Sequence, residues 1–319
     1  MNYRLIISIL GLLVTLNGFF MLLGLPFPIY FDESVFPLLV SGLTTIIIGL
    51  FFWLFFRKGA EKELGKKDGY LVVGLGWVTM AVFGTIPFIL SGSIPDFTDA
   101  FFETMSGFTT TGATILTDIE SVPKGILFWR SMSQWIGGMG IIVLTVALLP
   151  IIGVGGMQLF VAEAPGISPD KLKPRIKDTA KRLWLIYFGL TMIETFLLKY
   201  GGMTFYDALN HGLTTMATGG FSTKNSSIAY YDSPFIQYVI IVFMFLAGVN
   251  FTITYFGLKG KFKKVWNNEE FKAYFTIVVL FSVLTAFGIY YFTDSTVEKS
   301  FRDGAFQVIS IITTTGYIT

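Results

Sequence analysis

Long apolar runs alternate with short basic segments along this chain, and that alternation constrains the fold more than any other feature. The runs lie at about 4–25, 36–56, 70–91, 125–150, 182–200, 234–257 and 272–292. About 20 apolar residues wound as a helix cross the roughly 30 Å hydrocarbon core of a bilayer. Seven membrane helices are therefore predicted. The chain is 53% hydrophobic and only 14% charged over 319 residues, whereas a soluble domain carries about a quarter charged residues. The first run is long for a signal peptide, and no small-residue cleavage pattern follows at Pro26–Phe27–Pro28.

Charge sets the orientation. Segment 57–69 holds five Lys/Arg, segment 170–182 six and segment 259–272 five. The alternate connections carry acids instead: Asp32 and Glu33, then Asp96, Asp99, Glu103, Asp118 and Glu120. Lys/Arg-rich loops stay in the cytoplasm, so the N-terminus with Arg4 is expected inside. A net charge of +2 gives no case for nucleic acid. With no cysteine and one histidine, thiolate and His-rich metal sites are excluded. No paired acid, paired histidine or GxSG serine stands at membrane depth, so an enzyme is not expected.

Three semi-polar stretches, 97–115, 205–223 and 301–319, follow predicted helices three, five and seven. They superimpose as a repeat. Asp99, Asp207 and Asp303 each precede a glycine by thirteen residues: Gly112, Gly220 and Gly316. Threonines lead into each glycine: Thr109–Thr110–Thr111, then Thr214–Thr215 with Thr218, then Thr313–Thr314–Thr315. All three stretches fall on the outer side. The expected fold is an all-α polytopic membrane protein, built from parallel repeats of transmembrane helix, re-entrant pore loop and transmembrane helix around a central pore. Inverted repeats, common in secondary carriers, are not what the pattern shows.

An acid near the start of each stretch suits the positive N-terminal end of a short helix. That half-helix would point its partially negative C-terminus toward the membrane centre. The extended tract after it leaves carbonyls unpaired, which is tolerated at membrane depth only where backbone is buried or lines a watery path. Carbonyls aimed at an axis can replace the water shell of a bare cation. Glycine permits positive φ without a side chain in the way, and threonine stiffens the tract through its β-branch. The candidate ion-binding residues are Thr110, Thr111, Gly112, Thr218, Gly219, Gly220, Thr314, Thr315 and Gly316, with K⁺ as the ion.

The phrases FFETMSGFTTTGATIL (101–116), FWRSMSQWIGGMGIIVL (128–144), TTMATGGFST (214–223) and TTTGYIT (313–319) closely resemble the TrkH/KtrB/HKT superfamily of potassium transporters, and its bacterial TrkH branch most of all. The resemblance covers essentially the whole chain. It implies potassium uptake across the bacterial inner membrane, with filter glycines at Gly112, Gly220 and Gly316. It also implies a homodimer with one pore per protomer, gated by a cytosolic TrkA/KtrA-type nucleotide-binding ring, and no cofactor. Some HKT members carry serine at the first filter glycine and favour Na⁺, so Gly112 leans toward K⁺. A Na⁺ or mixed monovalent-cation pore, or a cation symporter, is the alternative. Members of the superfamily surround one pore with four units, whereas this chain stops at Thr319 inside the third loop. It therefore reads as part of a longer protein, and the activity is expected of the intact one. The organisation expected is a peripheral N-terminal helix pair (1–69), pore unit 1 (70–150), a cytoplasmic loop (151–181), pore unit 2 (182–257), and a further cytoplasmic loop with an incomplete pore unit 3 (258–319).

Other residues take plainer readings. His211 is expected to pack and hydrogen-bond beside the second half-helix. Glu103 and Asp207 either add negative potential near the entrance or cap and pair. Arg130 is expected to snorkel from the outer end of the fourth run. Glu194 lies deep and needs a partner. Gly137, Gly138 and Gly140 are expected to serve close helix packing. The GVGG stretch at 153–156 lacks the Lys-Ser/Thr ending and βα setting of a phosphate loop.

Overall fold

The computed structural model describes residues 2–57, 66–140 and 176–319, and every regular element among them is helical. The last ten residues of the predicted run 125–150, most of segment 57–69 and most of the predicted loop 151–181 lie outside the described residues. The chain divides into two compact units. One comprises Met1–Thr109 and Ala113–Trp184; the other comprises Leu185–Thr319 together with Thr110–Gly112.

In the first unit, α1 (Tyr3–Leu22) packs along α3 (Phe36–Arg57), with the short α2 (Pro26–Tyr30) between them. Glycines make the close approach possible. A methyl on Gly11 would lie 2.8 Å from the Gly49 carbonyl oxygen, and one on Gly18 would lie 2.6 Å from that of Gly42. Small residues let membrane helices approach backbone to backbone. Asn17 on α1, fully buried, donates to the Met80 carbonyl at 3.1 Å, which ties α1 to α4 (Lys66–Gly84).

The predicted run 70–91 begins earlier, at Lys66, and divides into α4 and the short α5 (Ile86–Leu90). Pro87 explains the break, because it cannot donate to the preceding turn. The Gly84 carbonyl accepts the Trp129 indole N–H at 3.0 Å. Half-helix α6 (Phe97–Phe108) follows, and α7 (Lys124–Gly138) lies against it. A Cβ on Gly137 would collide with the Phe108 carbonyl oxygen, so the close-packing reading holds at that glycine. Gly140 is instead in the left-handed region, at φ +65°.

In the second unit, α8 (Ile176–Tyr200, its residues from Leu185 onward) precedes half-helix α9 (Phe205–Met216). The predicted helix 234–257 is instead two helices, α10 (Pro234–Ala247) and α11 (Phe251–Leu258), bent by 113°. Gly248 lowers the cost of leaving the helix. Asn250 then caps the new one by accepting the Thr252 amide at 3.0 Å. After α12 (Phe262–Trp266) comes the long α13 (Glu269–Phe292), which packs on the third half-helix, α14 (Val297–Ile312). The two come within backbone contact: a Cβ on Gly304 would sit 2.8 Å from the Ala286 amide nitrogen.

Among the described residues, five continuous helical spans are long and apolar enough to cross a membrane, and α10 with α11 makes a sixth if read as one span. Large apolar side chains cover the outside of α13, including Phe281, Leu284 and Phe287. That surface suits lipid contact.

Candidate functional site

Each half-helix starts on a side-chain cap, though not always where the acid spacing predicts. Asp96, not Asp99, caps α6, accepting the Thr98 and Asp99 amides at 2.8 and 3.1 Å. Thr204 caps α9: Asp207 N donates to Thr204 Oγ1 at 3.0 Å, and the threonine hydroxyl donates to Asp207 Oδ2 at 2.8 Å. Thr296 caps α14 and Glu298 lies in its first turn. Asp303 is therefore two turns inside that helix, not at its start, because the helix begins before the repeated stretch does.

The tract beyond each half-helix shows one backbone pattern three times. Thr110 and Gly112 have φ of +54° and +76°, Thr218 and Gly220 have +51° and +72°, and Thr314 and Gly316 have +58° and +81°. The residue between them has no positive φ in any copy. A tract whose backbone handedness alternates turns its carbonyls to one side and its amides to the other. Glycine adopts positive φ freely. A β-branched threonine there carries strain of about 1–3 kcal/mol, which persists only where the surroundings enforce it. Positive φ at the glycines is legible from sequence; that Thr110, Thr218 and Thr314, also named there, share it is not.

Two of the tracts meet directly. A Cβ on Gly220 would collide with the Thr315 carbonyl oxygen. The segment after the second tract also pairs with the third, the Ala229 amide donating to the Ile318 carbonyl at 3.0 Å. Thr110–Gly112 falls in the same compact unit as both.

The outer leg of each tract is tied back to its own half-helix in a matched register. Nine residues before each glycine stand Glu103, His211 and Gln307. Glu103 accepts the Thr114 hydroxyl at 2.8 Å, His211 Nε2 meets Ser222 Oγ at 2.9 Å, and Gln307 Nε2 donates to Thr319 Oγ1 at 3.2 Å. Six residues before the glycine, Ser106 and Ser310 donate to the carbonyls of Ala113 and Tyr317 at 2.6 and 2.8 Å. In the second copy that position is Thr214, whose hydroxyl bonds the Tyr317 hydroxyl of the third.

His211 is a satisfied, fully buried residue, as its plain reading expects. Its Nδ1 lies 2.8 Å from the Asp207 carbonyl, which only accepts, so Nδ1 carries the proton. Ser222 Oγ accepts the Lys224 amide at 3.0 Å and keeps its own hydrogen for Nε2. Asp207 takes hydroxyl donations from Thr204 and from Thr223, the latter at 2.6 Å. Burial works to raise its carboxyl, but those donations outweigh it and hold Asp207 below the usual carboxylate value.

Arg130 does not snorkel. It is buried and its Nε lies 2.6 Å from Glu103 Oε1. Glu103 and Asp207 are thus both engaged in pairing and capping. Asp99 and Asp118 line a cavity of about 580 Å³ together with Ser91, Ser93, Thr117 and Ser121.

This architecture defines a class: multi-pass helical membrane proteins with tandem re-entrant loops, each a half-helix leading into a threonine–glycine tract. Residues 34–319 match the TrkH family, described as a cation transport protein. The chain is 44% identical to the Trk system potassium uptake protein TrkH of Escherichia coli strain K12, covering 100% of this chain and 67% of that protein. It is 32% identical to the Trk system potassium uptake protein TrkG of the same strain, over 100% of this chain and 66% of that one. The crystal structure of the potassium transporter TrkH from Vibrio parahaemolyticus superimposes with a TM-score of 0.85 at 35% identity, covering 100% of this chain and 66% of that one. The chain belongs to the TrkH family.

Proposed function

We propose that this chain supplies pore-forming units of a potassium uptake protein, and that Thr110, Thr111, Gly112, Thr218, Gly219, Gly220, Thr314, Thr315 and Gly316 contribute the ion-coordinating filter. The carrying observation is the alternating backbone at three matched tracts, two in direct contact and all three in one compact unit. Carbonyls turned to one side can replace the water shell of K⁺ without a fixed charge that would hold it too tightly. Three half-helices with their negative ends toward the tracts add to the attraction. Asp99 and Asp118 raise the local cation concentration outside the first tract.

The remaining parts of this reading rest on the family. The basic segments belong in the cytoplasm with the N-terminus, and the membrane is the bacterial inner membrane. The assembly is a homodimer whose partner is a cytosolic TrkA/KtrA-type nucleotide-binding ring. The units follow the repeat: 1–69, 70–150, 151–181, 182–257 and 258–319. The chain matches about two thirds of the E. coli relative, so the test is a chimera in which it replaces the aligned part of that protein. In a K⁺-uptake-deficient bacterium, the chimera is expected to restore growth on low K⁺. A chimera that inserts stably and restores none would defeat the reading. Gly112→Ser in the same chimera is expected to raise Na⁺ uptake relative to K⁺, and no change in that ratio would remove the first tract from the filter.

A further inference from the structure

One side chain joins the second and third tracts in a way the repeat does not anticipate. The residue after each tract glycine is Ala113, Phe221 and Tyr317 in turn, so only the third copy carries a hydroxyl at that position. Tyr317 is 1% exposed, and its side chain reaches the second half-helix, α9, rather than its own. The hydroxyl bonds Thr214 Oγ1 and lies 3.4 Å from both Thr215 Oγ1 and the His211 carbonyl oxygen. Its ring lies against that of His211, the centroids 6.0 Å apart. Thr214, Thr215 and His211 are all fully buried.

The hydroxyl inventory sets the direction of the bond. Thr214 donates to the Asn210 carbonyl at 3.0 Å and Thr215 to the His211 carbonyl at 2.7 Å. Each hydroxyl has one proton to give, and both threonines give theirs to the backbone of their own half-helix. Tyr317 is therefore the donor and Thr214 the acceptor. The Tyr317 carbonyl in turn accepts from Ser310 of α14 at 2.8 Å. Tyr317 thus holds α14 through its backbone and α9 through its side chain. It does so one residue beyond Gly316, beside the place where the Thr315 carbonyl oxygen fills the space of a Gly220 side chain.

We propose that the bond from the Tyr317 hydroxyl to Thr214 fixes the spacing of the second and third tracts and thereby sets the preference for K⁺ over Na⁺, an inference that rests on the filter reading above. Tyr317 is a positioning residue, acting through the backbone of Thr315 and Gly316 rather than on the ion. Selectivity depends on how many carbonyls coordinate and how freely they move. Slack between two tracts lets their carbonyls close around a smaller ion, so loosening favours Na⁺. Ser106 and Ser310 hold each leg within its own unit, whereas Tyr317 links one unit to the next.

Competitive uptake of K⁺ and Na⁺ by the chimera tests this. Tyr317→Phe keeps the ring and leaves Thr214 bonded to Asn210. It is expected to insert and to lower the K⁺/Na⁺ uptake ratio about two- to tenfold, the worth of one hydrogen bond. Thr214→Val removes the acceptor and is expected to lower the ratio by a similar factor, while Thr214→Ser keeps the hydroxyl and is expected to hold the parent ratio. Tyr317→Phe combined with Thr214→Val is expected to cost no more than either alone, because both remove the same bond. A purely structural role would change insertion and total uptake but not the ratio. A parent-like ratio in Tyr317→Phe, a ratio as low in Thr214→Ser as in Thr214→Val, or losses that multiply in the double variant overturn the proposal. If Tyr317→Phe fails to insert, the two Thr214 variants decide alone. A parent chimera that carries no K⁺ defeats the filter reading and this inference with it; a selective parent whose ratio the variants leave unchanged defeats the inference alone.

Discussion

Glu103 and Arg130 meet 2.6 Å apart with 0% and 2% of their side chains exposed, and the same carboxylate accepts the Thr114 hydroxyl and the Ile115 amide, at 2.8 and 3.0 Å. One acid thus joins the first half-helix, the leg returning from the first tract and α7. Breaking a buried pair by removing one partner strands the other charge, at about 3–5 kcal/mol. Arg130→Ala is expected to lower the melting temperature in detergent sharply and to abolish K⁺ uptake. Combining Glu103→Gln with Arg130→Met is expected to recover part of the stability. A single Arg130→Ala protein as stable as the parent would show that the pair contributes nothing.

Gly220 faces two constraints, a φ of +72° and the Thr315 carbonyl where a Cβ would stand. Gly220→Ala is expected to insert in the membrane but to lose most K⁺ uptake. Gly92 also has a positive φ, at +70°, but open space where a Cβ would project, so Gly92→Ala is the control, expected to transport normally. Equal uptake by the two variants would remove the contact between the second and third tracts from the mechanism.

Ser106 and Ser310 hold equivalent carbonyls beyond the first and third tracts. Ser310→Ala is expected to cost about 1 kcal/mol of stability, as one hydrogen bond does. It is also expected to weaken K⁺ over Na⁺ discrimination measured by competitive ion flux. Discrimination unchanged in both Ser106→Ala and Ser310→Ala would mean that the tracts are held without them.

Asp207 is held below the usual carboxylate value by Thr223 and Thr204. A carboxyl depressed on folding adds stability above its unfolded value, and that stability is lost as pH falls through the folded one. Melting temperature is therefore expected to fall on acidification across that window. Thr223→Val, which removes one donor, should flatten the dependence. An unchanged slope would place the acid sensitivity elsewhere.

Much of this protein is legible in its residues because the bilayer imposes simple demands. Apolar length and basic loops mark the helices, and the thirteen-residue spacing from acid to glycine exposes the repeat without any coordinates. Misplaced details share one cause, a local signal overruled by a neighbour. Asp303 has the spacing of a helix-start acid, yet Thr296 caps the helix earlier. Run 234–257 is long and mostly apolar, yet it bends at Gly248–Asn250. Arg130 stands near a helix end, as a snorkelling residue would, yet a carboxylate on α6 holds it inside.

That the chain is a membrane protein of tandem re-entrant units follows from its residues alone, because period, polarity and spacing are properties of the chain read in order. Tertiary structure alone decided which residues share the work. The left-handed Thr110, Thr218 and Thr314 and the ties from Glu103, His211 and Gln307 appear only once each tract folds back on its own half-helix, and the collision waiting at Gly220 needs the third tract brought to the second from a separate part of the chain. Such pairings arise only when packing leaves each buried polar atom a single place to find its partner.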